Sequence, residues 1–216
     1  MMTNLSEIPS VANQYLAEMR DSKIQQDSMR FRRNLERLGE VFAYEISKTF
    51  DYGTKQVDTP LGSAQIALTE ERVVLATILR AGLPLHQGLL NVFDKAENAF
   101  VSAYRKNHKD GTFEIEVEYI SCPPLEGCTL ILCDSMLATG ASMVLAAESL
   151  LQFGQPKTIH FVSAIAAQQG LDYVRRKFNQ SLIWLGALDE ELTAKSYIVP
   201  GLGDAGDLSY GEKIQE

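Results

Sequence analysis

The middle of the chain alternates short, continuous apolar runs with stretches that have helical spacing. The apolar runs are typical of buried strands and cover residues 73–79, 99–104, 128–133, 158–166 and 181–188. Helical spacing and helix-ending residues predict helices that begin near Pro84, Ala141 and Gln168. Strands that are apolar throughout and separated by helices indicate a parallel sheet covered on both faces. The sequence therefore predicts an α/β fold with a mostly parallel central sheet flanked by helices.

A further helix is predicted over residues 28–48, before the first of these strands. Its apolar residues recur every three or four positions and so share one face: Phe31, Leu35, Leu38, Phe42 and Ile46. An arginine cluster accompanies them, at Arg30, Arg32, Arg33 and Arg37. Such a cluster is typical of a solvated face, although a surface for an anion or a partner stays open.

Two segments interrupt the alternation. Residues 105–121 contain a Lys-Asp-Gly turn followed by alternating polar and apolar positions, which predicts a two-stranded arm that protrudes from the main sheet. The tail from Tyr197 onwards is rich in glycine, and no regular element is predicted there. Because no repeat or linker is visible, we expect one domain over residues 1–216.

Composition and charge narrow the class of protein. The chain has 216 residues, of which 45% are hydrophobic and 22% charged, so a globular core is expected. Its net charge of −8 argues against a surface for nucleic acid. The start of the chain lacks the pattern of an export signal, and no apolar run reaches the roughly 18 residues of a membrane span. The spacing of the three cysteines and three histidines favours reduced cytoplasmic thiols over a metal site.

The segment 129–142 carries the first candidate chemistry. A predicted strand ends at the acidic Asp134, and a turn of small residues then leads into a helix. The unpaired backbone N–H groups and the dipole at a helix start attract anions. Thr139 and Ser142 add hydroxyl donors, and Gly140 allows close approach of a phosphate. Asp134 would suit the hydroxyls of an adjoining sugar. An ordinary strand-to-helix turn remains the alternative on shape alone.

Two other phosphate-binding patterns fit poorly. A P-loop requires a lysine directly after its last glycine, and none follows Gly140. The spacing G-x-G-x-x-G does occur, at Gly201, Gly203 and Gly206. It stands too near the end of the sequence for the helix, strand and acidic residue of a dinucleotide site. We therefore assign no dinucleotide site to these glycines.

Several motifs together resemble a known family. They are ILRAG (78–82), AYR (103–105), DSMLATGAS (134–142) and YIVPGLGDAGD (197–207). In order and spacing they resemble the uracil phosphoribosyltransferases, which are type I phosphoribosyltransferases. The resemblance implies transfer of 5-phosphoribose from phosphoribosyl diphosphate (PRPP) to N1 of uracil, which yields UMP and diphosphate, with Mg²⁺ bound to the PRPP diphosphate.

The resemblance also assigns site residues. Catalytic roles fall on Arg105, Asp134 and Asp204. PRPP would be held by Arg80, Arg105, Asp134, Ser135, Met136, Leu137, Ala138, Thr139, Gly140, Ala141, Ser142 and Asp204. Uracil would be held by Ile198, Gly203, Asp204 and Ala205. The arginines suit the diphosphate because a guanidinium offers a fork of donors. The arm would act as a lid, and no residue is expected to be a metal ligand.

The sequence departs from the family pattern in several places. Ser135 and Ala141 stand where the family usually has proline and glycine. Glu191, Thr193 and Ser196 stand where glycine, asparagine and glycine are expected, close to the base site, and Leu208 replaces a common basic residue.

Two rival functions remain open. One is a phosphoribosyltransferase for another nucleobase, and the other is an RNA-binding regulator of pyrimidine operons on the same fold. The resemblance further implies a homodimer or a higher homo-oligomer. Some members of the family are regulated by GTP, and whether GTP is an effector here stays open at this point.

Overall fold

A seven-stranded sheet forms the centre of the molecule. The computed structural model describes residues 1–107 and 113–213, with backbone alone for 103–107 and 113–117. The strands are β1 (Met2–Asn4), β2 (Gly53–Thr59), β3 (Gly62–Leu68), β4 (Val73–Leu79), β5 (Glu97–Asn107), β6 (Phe113–Ser121), β7 (Thr129–Leu137), β8 (Thr158–Ala167), β9 (Leu182–Asp189), β10 (Glu191–Leu192) and β11 (Ile198–Val199). The sheet order is β1-β9-β8-β7-β4-β5-β6. Every neighbouring pair is parallel except β5 and β6. The predicted fold is confirmed.

Helices cover both faces of this sheet. They are α1 (Val11–Arg20), α2 (Ser28–Ser47), α3 (Leu83–Val92), α4 (Ala141–Leu150), α5 (Gln168–Lys177) and α6 (Ala205–Tyr210). Successive side chains of β7 point to opposite faces, so Ile131 packs in one core cluster and Leu130 and Leu132 in the other. The first cluster includes residues of α1, α2 and α3, and the second those of α4 and α5. Both faces of the central strands are therefore buried, which explains their continuous apolar sequences.

The helix predicted over 28–48 is α2, and its predicted core face is correct. All five of its spaced apolar residues are buried. Asp27 caps the helix by accepting the backbone N–H of Arg30 at 3.0 Å. Each arginine of the cluster has a partner in the protein: Arg30 pairs with Glu18, Arg33 with Glu36, Arg32 donates to the carbonyl of Ser209, and Arg37 donates to Asn34. These contacts agree with the solvated-face interpretation.

The predicted arm is present and extends the main sheet. Pairing of β4 with β5 ends at Leu79 and Ser102, whereas β5 continues antiparallel to β6, with a register shift after Ser102. The two strands thus project beyond their neighbours. The Lys-Asp-Gly turn of the arm lies outside the described residues.

Some elements differ from the sequence prediction. The hairpin β2–β3 was not predicted, because its strands are largely exposed and show no apolar face; its turn residue Leu61 is fully exposed. Strand β7 does not end at Asp134, as predicted, but continues to Leu137, which still pairs with Ala166 of β8. The expectation of no regular element in the tail is wrong, because β10 and β11 pair and α6 follows them.

The cysteines are free, and their thiols are poorly ionised. Cys128 and Cys133 are buried and Cys122 is half-buried. Burial raises the pKa of Cys122 and Cys128 to about 11 and that of Cys133 to about 12. Within the described part of the chain, no three histidine, cysteine or acidic residues cluster as metal ligands would. The same residues include no helix with the length and apolar character needed to cross a bilayer.

Candidate active site

One cavity of about 620 Å³ lies at the carboxyl edge of the central strands. The ends of β4 and β7 border it on one side, and the tail after β9 borders it on the other. This edge is where open parallel sheets bind ligands. The predicted site residues that line the cavity are Arg80, Asp134, Ser135, Met136, Leu137, Ala138, Thr139, Gly140, Ser142, Ile198, Gly203, Asp204 and Ala205. The predicted phosphate loop and the glycine-rich tail therefore share one cleft.

Two predicted residues stand apart from this lining. Ala141 begins α4 and does not line the cavity. The side chain of Arg105 lies outside the described residues, although its backbone belongs to β5 and pairs with Ile115. The proposed role of Arg105 therefore stays a prediction.

The loop between β7 and α4 has the form of an anion site. Gly140 is the N-cap residue of α4, with a φ of +81°, and it has no side chain to cap the helix. The N–H of Ala141, the first helical residue, donates to Oγ1 of Thr139 at 3.4 Å. The next two residues of the first turn, Ser142 and Met143, line the cavity, so their N–H groups can bind a ligand there beside the Thr139 side chain. The start of α5 supports the loop from behind: a Cβ at Gly170 would lie 2.5 Å from the carbonyl oxygen of Ala138.

Asp134 is a carboxylate held in a partly desolvated position. Its burial raises its pKa from 3.8 to about 7. The backbone N–H groups of Ser135 and Met136 act in the opposite direction, and the nearby charge of Asp204 adds to the rise. The side chain can therefore accept or release a proton near neutral pH, and both acids face the same cavity.

Arg80 provides positive charge at the end of β4. Its side chain is 42% exposed, and its Nη2 donates to the carbonyl oxygen of Gly211 at 3.3 Å. The Leu79–Arg80 peptide bond is cis, as is Val199–Pro200 in the tail. Since only the tail contacts its guanidinium in the described residues, Arg80 can also bind an anion in the cavity.

The tail forms the opposite wall through its backbone. Between β10 and β11 the chain turns at Ser196, which has a φ of +62°. The Oγ1 of Thr193 accepts the N–H of Tyr197 at 3.0 Å and closes this turn. Further on, Asp204 caps α6 by accepting the N–H of Asp207 at 3.0 Å on its Oδ1. Its Oδ2 lies 3.9 Å from Nζ of Lys213.

Several cavity residues were not predicted from the sequence. They are Ile78, Leu79, Ala81, Ser102, Met143, Lys195, Ser196, Tyr197, Gly206, Asp207 and Lys213. The ILRAG and YIVPGLGDAGD motifs contain six of these, so motif membership was a usable signal for them. For Lys195 and Lys213 no pattern in the sequence indicates a role, because tertiary folding alone brings them to the cavity.

The chain is similar to proteins of known name over nearly its whole length. The family model described as uracil phosphoribosyltransferase matches residues 9–211. A uracil phosphoribosyltransferase from Porphyromonas gingivalis is 55% identical over 206 residues, which covers 95% of both chains. One from Pyrococcus furiosus is 39% identical over 203 residues, covering 93% of this chain and 86% of that protein. The solved structure of the AQ2163 protein from Aquifex aeolicus, 32% identical, superposes over the whole of both chains with a TM-score of 0.87.

Proposed function

The chain belongs to the uracil phosphoribosyltransferase family, and we propose that it transfers 5-phosphoribose from PRPP to N1 of uracil, forming UMP and diphosphate. The observation that carries this proposal is the cavity shared by the start of helix α4 and a glycine-rich segment of the tail. The first feature suits a phosphate ester and the second a flat heterocycle. The two substrates can therefore meet in one cleft, as pyrimidine salvage requires.

The phosphate loop, residues 134–142, would bind the 5-phosphate of PRPP. The N–H groups of Ser142 and Met143 in the first turn of α4 would donate to the phosphate oxygens, and the hydroxyls of Thr139 and Ser142 would add further donors. Asp134 would accept hydrogen bonds from the ribose hydroxyls. Hydrogen bonds donated by these hydroxyls would favour the ionised form of Asp134, whose pKa burial raises to about 7.

The diphosphate would lie beside Arg80, with Arg105 as a second cation. Two guanidinium groups offer forked donors to a leaving group that gains negative charge as the C1–O bond breaks. The described residues offer carboxylates in the cavity, at Asp134, Asp204 and Asp207, but no cluster of three acidic or histidine ligands. That donor set fits Mg²⁺ that is held mainly by PRPP oxygens and water, where the ion would neutralise diphosphate charge.

The tail would recognise the base through backbone groups. Uracil presents an acceptor, a donor and an acceptor along O2, N3–H and O4. The N–H and C=O groups between Ile198 and Ala205 can pair with this edge, because Gly203 carries no side chain to block it. Cytosine would leave such buried groups unpaired, which costs affinity.

Positioning and electrostatics would supply most of the rate. As the bond from C1 to the diphosphate breaks, positive charge develops on the ribose ring near Asp134 and Asp204, and negative charge develops near Arg80. We propose that the arm formed by β5 and β6 covers the bound substrates, since water would otherwise hydrolyse the activated sugar.

The direct test incubates the purified protein with uracil, PRPP and Mg²⁺ and measures UMP and diphosphate. We expect stoichiometric UMP formation that depends on all three. Cytosine, hypoxanthine, guanine and adenine are tested in parallel, because Thr193 and Ser196 depart from the family pattern beside the cavity. Preference for another base would replace uracil as the substrate. Binding of operon RNA that weakens steeply with salt, without turnover, would favour the regulator instead.

We further propose a homodimer in the cytoplasm, built from one domain, with GTP as an effector. The free thiols support the compartment. Sedimentation that gives a monomer at micromolar concentration would contradict the dimer. A reaction velocity unchanged by GTP, with PRPP near its KM, would contradict the effector.

A further inference from the structure

An ion pair with a buried carboxylate connects the first helix to the end of the sheet. Arg20 is the last residue of α1, and Asp189 is the last residue of β9. The Nη2 of Arg20 donates to Oδ1 of Asp189 at 2.8 Å, and its Nη1 donates to Oδ2 at 2.8 Å. The Asp189 side chain is only 7% exposed. This two-point geometry is the strongest that an arginine and a carboxylate can form.

The same two side chains hold one residue of the tail. Nη1 of Arg20 also donates to the carbonyl oxygen of Gly201 at 2.9 Å, and Oδ2 of Asp189 accepts the N–H of Gly201 at 2.9 Å. Both backbone polar groups of Gly201 are therefore bound by the ion pair. Among the described residues, only Gly201 has both its N–H and its C=O group bound by the two side chains of one ion pair.

Gly201 stands in the middle of the proposed uracil wall. Its φ of +55° is left-handed, and a Cβ there would collide with the carbonyl of Ile198. The turn is thus packed closely against Ile198, and Gly203 follows two residues later. Ile198 and Gly203 line the cavity, whereas Arg20 and Asp189 do not. Displacement of Gly201 would shift both sides of this turn.

We propose that Arg20 and Asp189 are positioning residues for the nucleobase, which act through Gly201 and do not touch the substrate. This inference rests on the proposed function, because it assigns the tail to uracil. The side-chain hydrogen bonds of the pair go to each other and to Gly201, and none goes to the phosphate loop. We therefore expect loss of the pair to weaken the binding of uracil more than the binding of PRPP.

The test uses two conservative variants, Arg20→Lys and Asp189→Asn, in the full chain. Lysine keeps the charge but cannot bind both carboxylate oxygens and the Gly201 carbonyl in one plane. Asparagine keeps the volume but loses the charge. Because displacement of a binding group by about 1 Å can cost up to a hundredfold, we expect KM for uracil to rise about tenfold or more in each variant. KM for PRPP stays within about twofold.

A matched control removes a comparable ion pair elsewhere. Lys157 pairs with Glu71 at 2.6 Å, and the Glu71 side chain is 9% exposed. Lys157 precedes β8, so it lies at the amino edge of the sheet, opposite the cavity. In Lys157→Gln we expect a lower Tm but an unchanged KM for uracil. This variant separates general destabilisation from loss of positioning.

Hydrogen exchange supplies a readout that does not depend on turnover. The Gly201 amide should exchange slowly in the wild type and at least tenfold faster in Asp189→Asn, with the control unchanged. Equal rises in KM for uracil and PRPP, an unchanged KM for uracil, or unchanged exchange at Gly201 would each overturn the proposal. A wild type that turns over PRPP with another base, or with none, refutes the proposed function instead. Normal uracil turnover by the wild type, with an unchanged KM for uracil in both variants, refutes only the positioning role.

Discussion

Nη2 of Arg80 lies 3.7 Å from Oδ1 of Asp207, so the cation at the end of β4 contacts the short helix α6. Asp204 begins that helix as its cap, and the same residue lines the cavity. The side proposed for the diphosphate and the side proposed for the base are thus in direct contact.

Replacement of Arg80 by glutamine tests its assignment to PRPP. We expect KM for PRPP to rise at least tenfold, because a charge-assisted contact to a multiply charged ligand is lost. The free energy of unfolding should change by less than about 1 kcal/mol, since an exposed pair contributes little. Steady-state kinetics and urea unfolding measure both quantities. Arg30→Gln, which removes an exposed arginine paired with Glu18 away from the cavity, serves as the control. Equal kinetics in the two variants would contradict the assignment.

Asp134→Asn tests whether a buried carboxyl is kept at the expense of stability. The folded protein raises the pKa of Asp134 from 3.8 to about 7, so it binds this proton more tightly than the unfolded chain does. The wild type therefore loses unfolding free energy relative to the variant as pH rises from about 4 to 7. At pH 8 we expect the variant to be more stable by about 2–4 kcal/mol, yet nearly inactive.

Urea unfolding of both proteins between pH 4 and pH 8 provides this measurement. The difference between them should be small at pH 4, grow towards pH 7 and then level off. A difference that is constant over this range would show that the ionisation of Asp134 does not oppose folding.

Gly170→Ala tests the support that α5 gives to the phosphate loop. The new Cβ would lie 2.5 Å from the carbonyl oxygen of Ala138 and 2.8 Å from that of Leu137. We expect the free energy of unfolding to fall by about 1–3 kcal/mol, because backbone must move to relieve the overlap. KM for PRPP should rise more than KM for uracil. Gly53→Ala is the matched control, since nothing lies within 4 Å of its Cβ position.

Asp204 can be tested by separating its cap from its charge. Asparagine caps a helix as well as aspartate does, whereas alanine costs about 1 kcal/mol. We therefore expect Asp204→Asn to keep its Tm and lose most of its kcat, and Asp204→Ala to lose both. Thermal melting and steady-state kinetics check this. Full activity in Asp204→Asn would limit the residue to a structural role.

The central sheet could be predicted because strands that are buried on both faces have continuous apolar sequences, as in β4, β7, β8 and β9. The end of β7 could not, since Asp134 and Ser135 are polar and only pairing with β8 keeps them in a strand. Helix α6 is also hidden in the sequence. It has six residues and depends on its cap and on a hydrogen bond from Arg32 to Ser209.

The candidate site was largely predictable, because the loop and the tail each carry a local pattern of small residues. A local sequence pattern cannot show which distant residues hold the site in place. Arg20 and Asp189 are 169 residues apart, and nothing in either neighbourhood indicates that they meet. The same holds for Lys213, which reaches the cavity only after the tail has folded.

The hairpin β2–β3 offers a place to attach a reporter. Its turn residue Leu61 is 100% exposed, and the hairpin leads into the amino end of β4, the edge opposite the cavity. The native thiols have pKa values of about 11 to 12 and are buried or half-buried, so they react slowly with maleimides near neutral pH. A cysteine introduced at this turn would thus take up a single fluorophore or surface tether while leaving the catalytic cleft open to solution.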